Sequence, residues 1–242
     1  MRYAVFSDVH GNLQALQSVA RRIRDLNVDR CICLGDIVGY GGNPNECVAE
    51  VRDLADGGVA GNHDHAVLGT TDITYFNYNA RNAVLWGREV LTEENRRYLE
   101  EIPLVLREGS ILFVHSSPRN PEEWHYVLSS DAADEAFEHF EEDVCLIGHS
   151  HRPLLAAKQD GRPCSVEVPG RTRLEKGFRY ILNEGSVGQP RDEDPRACFL
   201  LLDTDQRTAA IERVEYDIGA AQRAILDAGL PAALAERLEH GW

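Results

Sequence analysis

The sequence predicts an α/β fold, α+β in its later half: two β-sheets packed as a sandwich with helices on the outer faces. Three observations carry that expectation. Apolar strand-like runs alternate with segments of helical period up to Pro153, and short strands dominate after it. No internal repeat, low-complexity tract or linker divides the chain. Its 242 residues suffice for one large domain with a well-filled core, so residues 1–242 are expected to form a single domain with a helical extension at about 218–242.

Arg2 to Ser7 reads as a buried strand. From Asn12 to Leu26, the apolar residues Leu13, Leu16, Val19, Ala20, Ile23 and Leu26 recur at a helical period. Cys31 to Leu34 is a second strand. The loop Gly39-Tyr40-Gly41-Gly42-Asn43 leads into a helix opened by Pro44, since proline suits a first helical turn, and running to about Leu54. Gly58 to Ala60 reads as a short third strand. Thr74 to Ile102 reads as two helices divided near Thr92, an N-cap with Glu93 and Glu94 in the following turn. Ile111 to Val114 and Val144 to Ile147 are apolar strands bracketing a helix from Asp131 to Phe140. Beyond Pro153 come strands at Val166–Val168, Arg179–Asn183, Ala197–Leu202 and Thr208–Val214, the last two a hairpin turning at Gln206. Ala220 to Leu238 is helical, interrupted at Gly229-Leu230-Pro231.

Composition narrows the function classes. A net charge of −15 argues against a general nucleic-acid or anionic-membrane binder, which needs a positive field. A phosphate substrate stays compatible, because bound divalent cations would set the local potential and distant charge is screened within about 10 Å. No apolar stretch approaches the roughly 20 residues of a membrane span, and Met1 to Phe6 runs into the first strand with no signal-peptide pattern, so a cytoplasmic location is the expectation. Of the six cysteines, Cys31, Cys33, Cys145 and Cys198 lie in strand-like runs; reduced thiols are expected. Cys31-Ile32-Cys33 reads as strand interior, because no second cysteine pair stands at zinc-site spacing.

The chemistry is concentrated in five short runs, each at the end of a strand: Asp8-Val9-His10, Gly35-Asp36, Gly61-Asn62-His63-Asp64, Val114-His115 and Gly148-His149-Ser150-His151. They offer Asp8, His10, Asp36, Asn62, His115, His149 and His151 as oxygen and nitrogen donors, with His63 left over for chemistry. Asp8 and His10, two apart, would share a side in extended chain. A carboxylate can bridge two metals, and donors dispersed over five loops leave open coordination positions, unlike a closed structural zinc site. The set suits two divalent cations activating water against a phosphate ester.

Those runs, with Ile37-Val38-Gly39 following Asp36, resemble the calcineurin-like metallophosphoesterase superfamily from residue 3 to about 202. The resemblance implies a four-layer fold, a two-sheet β-sandwich flanked by helices. It implies one metal held by Asp8, His10, Asp36 and His151 and a second by Asp36, Asn62, His115 and His149. It implies a metal-bridging hydroxide attacking phosphorus in line, His63 beside the leaving-group oxygen as proton donor or charge stabiliser, and Asp64 orienting His63. The cations could be manganese, iron, zinc, nickel or cobalt.

One departure is informative. The serine/threonine phosphatase branch carries an Asp-Arg pair in the second motif, where this chain has Gly39-Tyr40-Gly41-Gly42. That loop and Gly185-Ser186-Val187-Gly188-Gln189-Pro190-Arg191 look more like the small bacterial and archaeal phosphodiesterase-like subgroup. The latter segment is either a phosphate cradle of backbone N–H groups plus Arg191, or a tight structural loop. Arg119 is a second candidate phosphate clamp, with a surface arginine as its alternative. Asn62 could contact substrate as well as metal. Trp124-His125-Tyr126 could wall a pocket or merely pack under a loop; His65, His139 and His240 read as solvated or structural.

The expectation is therefore a phosphoesterase acting on a small phosphate ester or a phosphoprotein, without stable nucleic-acid or membrane binding, and with homo-oligomerisation open. The alternatives are a diadenosine-tetraphosphatase, a serine/threonine phosphatase-like activity, a nuclease disfavoured by the acidity, and a non-catalytic scaffold of this fold. The retromer scaffold subunit lacks the histidine after the asparagine; His63 is present here.

Overall fold

The computed structural model describes residues 1–159, 161–168 and 170–242. The chain begins with β1 (Arg2–Phe6), α1 (Leu13–Asp25), β2 (Arg30–Cys33), α2 (Pro44–Leu54), β3 (Gly57–Gly58) and α3 (Asn62–Leu68). It continues through α4 (Tyr78–Val90), α5 (Glu93–Glu101), β4 (Val105–Glu108), β5 (Ile111–Val114), α6 (Ser130–Phe137), β6 (Val144–Ile147), β7 (Leu154–Lys158), β8 (Ser165–Glu167) and β9 (Arg171–Arg173). It ends with β10 (Arg179–Asn183), β11 (Ala197–Asp203), β12 (Thr208–Val214), α7 (Ile218–Asp227), α8 (Ala232–Glu236) and a 3-10 turn at Arg237–Glu239.

Two mixed sheets of six strands stack face to face, ordered β3-β2-β1-β11-β12-β9 and β4-β5-β6-β10-β7-β8. Side chains alternate across each strand, so one strand feeds two cores. In β1, Tyr3 and Val5 enter the core between the sheets while Ala4 and Phe6 pack under α1 and α2. In β5, Ile111 and Phe113 face the inter-sheet core and Leu112 and Val114 face α6, with Phe137 and Phe140. The result is four layers, helix–sheet–sheet–helix. No helix among the described residues is long and apolar enough to cross a membrane. All six cysteines are buried and unbridged.

Local chemistry explains most element ends. Asn12 and Thr92 cap α1 and α5 by accepting from the N–H groups of Ala15 and Asn95. The second of the two helices expected over Thr74–Ile102 starts as read, but the first begins only at Tyr78, capped by Asn77. The last helical segment begins at Ile218, capped by Asp217. Five elements depart from the sequence reading. Asn62–Leu68 is a helix because its polar head is buried over the site instead of solvated. The strands β4 and β9 are peripheral and carry Arg107, Glu108, Arg171 and Arg173, which blurs the apolar pattern. Leu154-Leu155-Ala156-Ala157-Lys158 forms β7 directly after Pro153, earlier than the onset of β structure read from Val166. The third strand is Gly57–Gly58, and the Ala60 N–H instead donates to the Pro103 carbonyl.

Candidate metal centre

Parallel pairing of β1, β2 and β3 in one sheet, and of β5, β6 and β10 in the other, points their carboxyl ends at one edge of the sandwich. The loops that follow these strands carry every motif residue, the usual location of sites in open α/β sheets. They are laced to one another by main-chain bonds: Asp8 N–H to the Gly35 carbonyl, His10 N–H to Asp36, Gly148 N–H to His115, and Gly188 N–H to Asp8.

Asp8 and His10 are not extended. Both are left-handed, at φ 51° and 48°, as are Asp36 (51°), His149 (65°) and His151 (59°). Asp and His are among the few non-glycine residues that tolerate this region. The left-handed turns, instead of strand alternation or the spacing through Ser150, bring each pair together.

Asp8, Asp36, His10, His115, His149 and His151 are all buried, with exposure of 7% or less, although each is polar. Each carboxylate divides its oxygens. Asp8 Oδ2 accepts from the Ser7 hydroxyl and from the His149 N–H, leaving Oδ1 3.2 Å from His151 Nε2 and 3.7 Å from His10 Nε2. Asp36 Oδ1 accepts from the His63 N–H, leaving Oδ2 3.6 Å from His10 Nε2 and 3.4 Å from His115 Nε2. Asp36 therefore lies between the two histidine groups.

Three imidazoles are locked from behind. His10, His115 and His151 set Nδ1 at 3.1, 2.7 and 2.6 Å from the carbonyls of Val38, Leu34 and Gln189. A carbonyl only accepts, so Nδ1 carries the proton and a neutral ring turns the Nε2 lone pair inward. The His10 and His151 Nε2 atoms approach to 3.0 Å. Two neutral nitrogens so oriented repel unless a cation lies between them.

Burial lowers the pKa of His10, and lowers that of His149 to about 3, favouring the neutral, metal-binding form. Burial acts against ionisation of Asp8 and Asp36, yet His151 beside Asp8 and His115 beside Asp36 outweigh it and hold both carboxyls well below the usual range. Burial likewise acts to deprotonate His115, but Asp36 wins and raises its pKa to about 10. The site draws positive charge toward Asp36.

The residues fit a metal. Asp8 Oδ1, Asn62 Oδ1, His115 Nε2 and His149 Nε2 are buried with no hydrogen-bond partner, a costly condition that coordination relieves. Ligand atoms of Asp8, His10 and His151 lie within 4.8 Å of one another, as do those of Asp36, His115 and His149. A third such group is His10, Asp36 and His63, which brings in a histidine that the resemblance does not count among the ligands.

His63 is buried against His10, Tyr40 and Phe76, with ring centroids 4.8, 4.5 and 5.1 Å away, and its Nδ1 has no partner. Burial lowers its pKa to about 4. Asp64 does not orient it. The Asp64 carboxylate accepts from the N–H groups of Ile37, Val38 and Gly61 at 2.9, 3.2 and 3.0 Å, tying the loop after β2 to the start of α3. Aromatic packing, of which Phe76 left no trace in the motifs, positions His63 instead.

The candidate substrate arginines separate. Arg191 stands beside the centre, with its guanidinium 5.8 Å from the Tyr40 ring. Arg119 is taken up by Glu135 and His125 and is not offered to the cluster. The Gly185–Gln189 segment is a structural loop: the N–H groups of Val187 and Gly188 donate to the Ser7 and Asp8 carbonyls, so they form no phosphate cradle. Tyr126 stacks on His149 at 4.0 Å and Trp124 meets His65 and His115 edge-on at 5.3 and 6.0 Å, so these aromatics flank the site. Glu184, buried beneath Asp8 with both carboxylate oxygens short of partners and its pKa raised to about 8 by burial, was not singled out by any motif.

The chain is similar to known proteins along nearly its whole length. A Methanocaldococcus jannaschii protein named only as uncharacterised is 41% identical over 239 residues, covering 97% of this chain and 96% of its own length. The crystal structure of a metallophosphoesterase from Sphaerobacter thermophilus superposes with a TM-score of 0.87 at 39% identity, covering 100% of this chain and 99% of that one. A hypothetical protein from Pyrococcus horikoshii shares the fold, with a TM-score of 0.81 at 20% identity over 100% of this chain and 98% of its own. The model of the calcineurin-like phosphoesterase superfamily domain matches residues 1–207, and the chain belongs to that superfamily.

Proposed function

We propose that the chain is a dinuclear metal-dependent phosphoesterase that hydrolyses phosphate mono- or diesters by in-line attack of water. The observation that carries this reading is Asp36 Oδ2 lying between two groups of inward-facing histidine nitrogens, His10 on one side and His115 on the other. Asp8, His10, Asp36 and His151 would hold one cation; Asp36, Asn62, His115 and His149 would hold the other. Cations held by these residues would supply Lewis-acid chemistry, making a water more acidic and stabilising charge on the phosphate oxygens. The mixed Asp, Asn and His donors accept manganese, iron, zinc, cobalt or nickel.

The protein's own groups do the rest. The rear carbonyls hold the imidazoles in one tautomer and one orientation, so little reorganisation is needed as charge develops. His63, neutral at pH 7, offers one ring N–H to the leaving-group oxygen. Asp64 supports this indirectly by pinning the Ile37–Val38 turn that carries Asp36 and Gly39. Arg191 supplies a fork for the substrate's non-bridging oxygens.

The test is hydrolysis of p-nitrophenyl mono- and diesters by apo-protein reconstituted with manganese, nickel, zinc, iron or cobalt. Turnover of at least one ester is expected, and inert metal-replete protein would overturn the reading. His63→Ala should retain both metals and lose about 10²- to 10⁴-fold in kcat; metal loss in that variant would make His63 a ligand.

A further inference from the structure

A groove of about 790 Å³ opens beside the metal centre. It begins at Ser150, between His149 and His151, and at Arg191. It is lined by Arg152, Arg191 and Arg237 and by the exposed apolar side chains of Leu128, Val166 and Trp242. The volume is that of a pocket for a small organic ligand, well beyond a lone phosphate.

We propose that this groove seats the part of the substrate distal to the scissile phosphate, and that the preferred substrate is a nucleotide with at least two phosphoryl groups: one at the metal centre, the next on Arg191 and Arg237, and the nucleoside along Leu128 and Trp242. The proposal rests on the phosphoesterase reading and adds to it a substrate class and a specificity residue, Arg237.

Four observations support it. First, each of the three arginines spends only part of its donor set within the protein. Arg152 Nε donates to the Arg191 carbonyl at 2.8 Å, Arg191 Nη2 to Gln189 Oε1 at 2.8 Å, and Arg237 Nε to the main-chain oxygen of Trp242. Each guanidinium has five N–H donors. Second, no carboxylate among the described residues forms an ion pair with any of the three. Of the acids that line the groove, Asp192 is committed to Arg213, leaving Glu167 and Glu193. In a chain of net charge −15, a cluster of arginines that no Asp or Glu side chain pairs is a place for an anion. Third, Arg237 and Arg191 are neighbours: burial first and then Arg191 lower the pKa of Arg237 to about 10, partly offset by Tyr40.

Fourth, the last helices are built onto the site. Ala221, Ile225, Leu234 and Leu238 pack with Ala80, Ala83 and Tyr40, the same Tyr40 that walls His63 and His10. Glu193 N–H donates to the Gly241 carbonyl, joining the Arg191 loop to the segment that bears Arg237. The family model matches residues 1–207, so these helices lie outside the matched span, against the Tyr40 side of the site.

The reaction is hydrolysis. Water adds to the phosphorus held at the metal centre, the bond from that phosphorus to its leaving oxygen breaks, and the leaving oxygen takes a proton. The experiment compares adenosine 5′-diphosphate with p-nitrophenyl phosphate on the manganese-loaded full chain. Arg237→Ala should lower kcat/KM for the diphosphate about tenfold or more beyond any effect on p-nitrophenyl phosphate, through KM, because a charge-assisted contact is lost. Arg237→Lys should restore part of it. Arg152→Ala, at an exposed position, should act in the same direction and guards against misfolding of the first variant. Equal losses on both substrates would overturn the groove assignment while leaving the phosphoesterase reading intact. Turnover of neither substrate by the unmutated protein, with no hydrolysis of bis(p-nitrophenyl) phosphate either, would overturn the phosphoesterase reading. Calorimetric binding of adenosine 5′-diphosphate would then decide the groove: binding weakened about tenfold by Arg237→Ala upholds it, and unchanged or absent binding overturns it.

Discussion

Replacing Gly39 with alanine should disable the enzyme without removing its metals. Gly39 has φ +96°, and a Cβ there would lie 2.5 Å from His63 Nδ1, 3.0 Å from Cγ and 3.2 Å from the His63 Cβ. Ordinary contact begins near 3.4 Å, so the ring must move by roughly 1 Å. It has nowhere easy to go, since Tyr40, His10 and Phe76 box it in with centroids 4.5 to 5.1 Å away. The left-handed backbone alone costs about 1–2 kcal/mol for an L-residue. With the clash added, a loss of about 2–3 kcal/mol should lower Tm by about 4–10 °C for a chain of this size. A 1 Å misplacement of a positioned group costs about 100-fold in rate. The assay is kcat on a p-nitrophenyl ester, with metal content by mass spectrometry and Tm by calorimetry. Gly69→Ala is the control, because Gly69 also has positive φ, +85°, but nothing within 4 Å of its would-be Cβ. It should lose stability and keep kcat. If Gly39→Ala turns over within twofold of the parent while metal-replete, His63 is not held where the argument needs it.

Asp36→Asn should remove both metals together, since Oδ2 faces both histidine groups; selective loss of one metal in a titration would contradict the bridge. Glu184→Gln should stabilise the metal-free protein at alkaline pH. Burial raises the Glu184 pKa from its ordinary 4.5 to about 8, so its destabilising effect is absent below the ordinary value and grows as pH rises through the window from 4.5 to 8. The variant should gain up to about 5 kcal/mol relative to the parent by pH 8.5 and nothing near pH 4. A stability difference that does not change with pH, followed by denaturant titration, would show that Glu184 is not buried as a neutral acid.

Much of the fold was legible because its signals are local. Pro44, Thr92 and the apolar runs Ile111–Val114 and Val144–Ile147 mark elements that the structure places at the same residues. What the sequence hid is what depends on the assembled fold. Asn62-His63-Asp64-His65 looks like a polar loop because its helix is nucleated by tertiary burial and by the Asp64 carboxylate reaching the Gly61 N–H. The strand Arg171–Arg173 is polar because only pairing with β12 holds it. The motif residues could be named from their chemistry, but not their supports: the rear carbonyls of Leu34, Val38 and Gln189 carry no side-chain signature. Arg119 and Arg191 are both candidate clamps in the sequence, and Glu135 and His125, which take up the first and not the second, separate them.

The ligand loops show how the fold sustains a site that is locally unfavourable. Asp8, His10, Asp36, His149 and His151 all hold left-handed conformations, each costing about 1–2 kcal/mol, and they bury two carboxylates whose inner oxygens face histidine nitrogens. No single loop could maintain this alone. The strain is held because each loop is pinned by another: Asp8 to Gly35, His10 to Asp36, Gly148 to His115, and Gly188 to Asp8. Freed from that lacing, the chain would relax the dihedrals and solvate the carboxylates. Because both sheets contribute, the site exists only when the sandwich is closed, and a cation that binds there stabilises the whole fold in proportion to its affinity. Metal binding and the packing of the two sheets would therefore be thermodynamically linked, each favouring the other, because the donors come from five strand ends spread over both sheets.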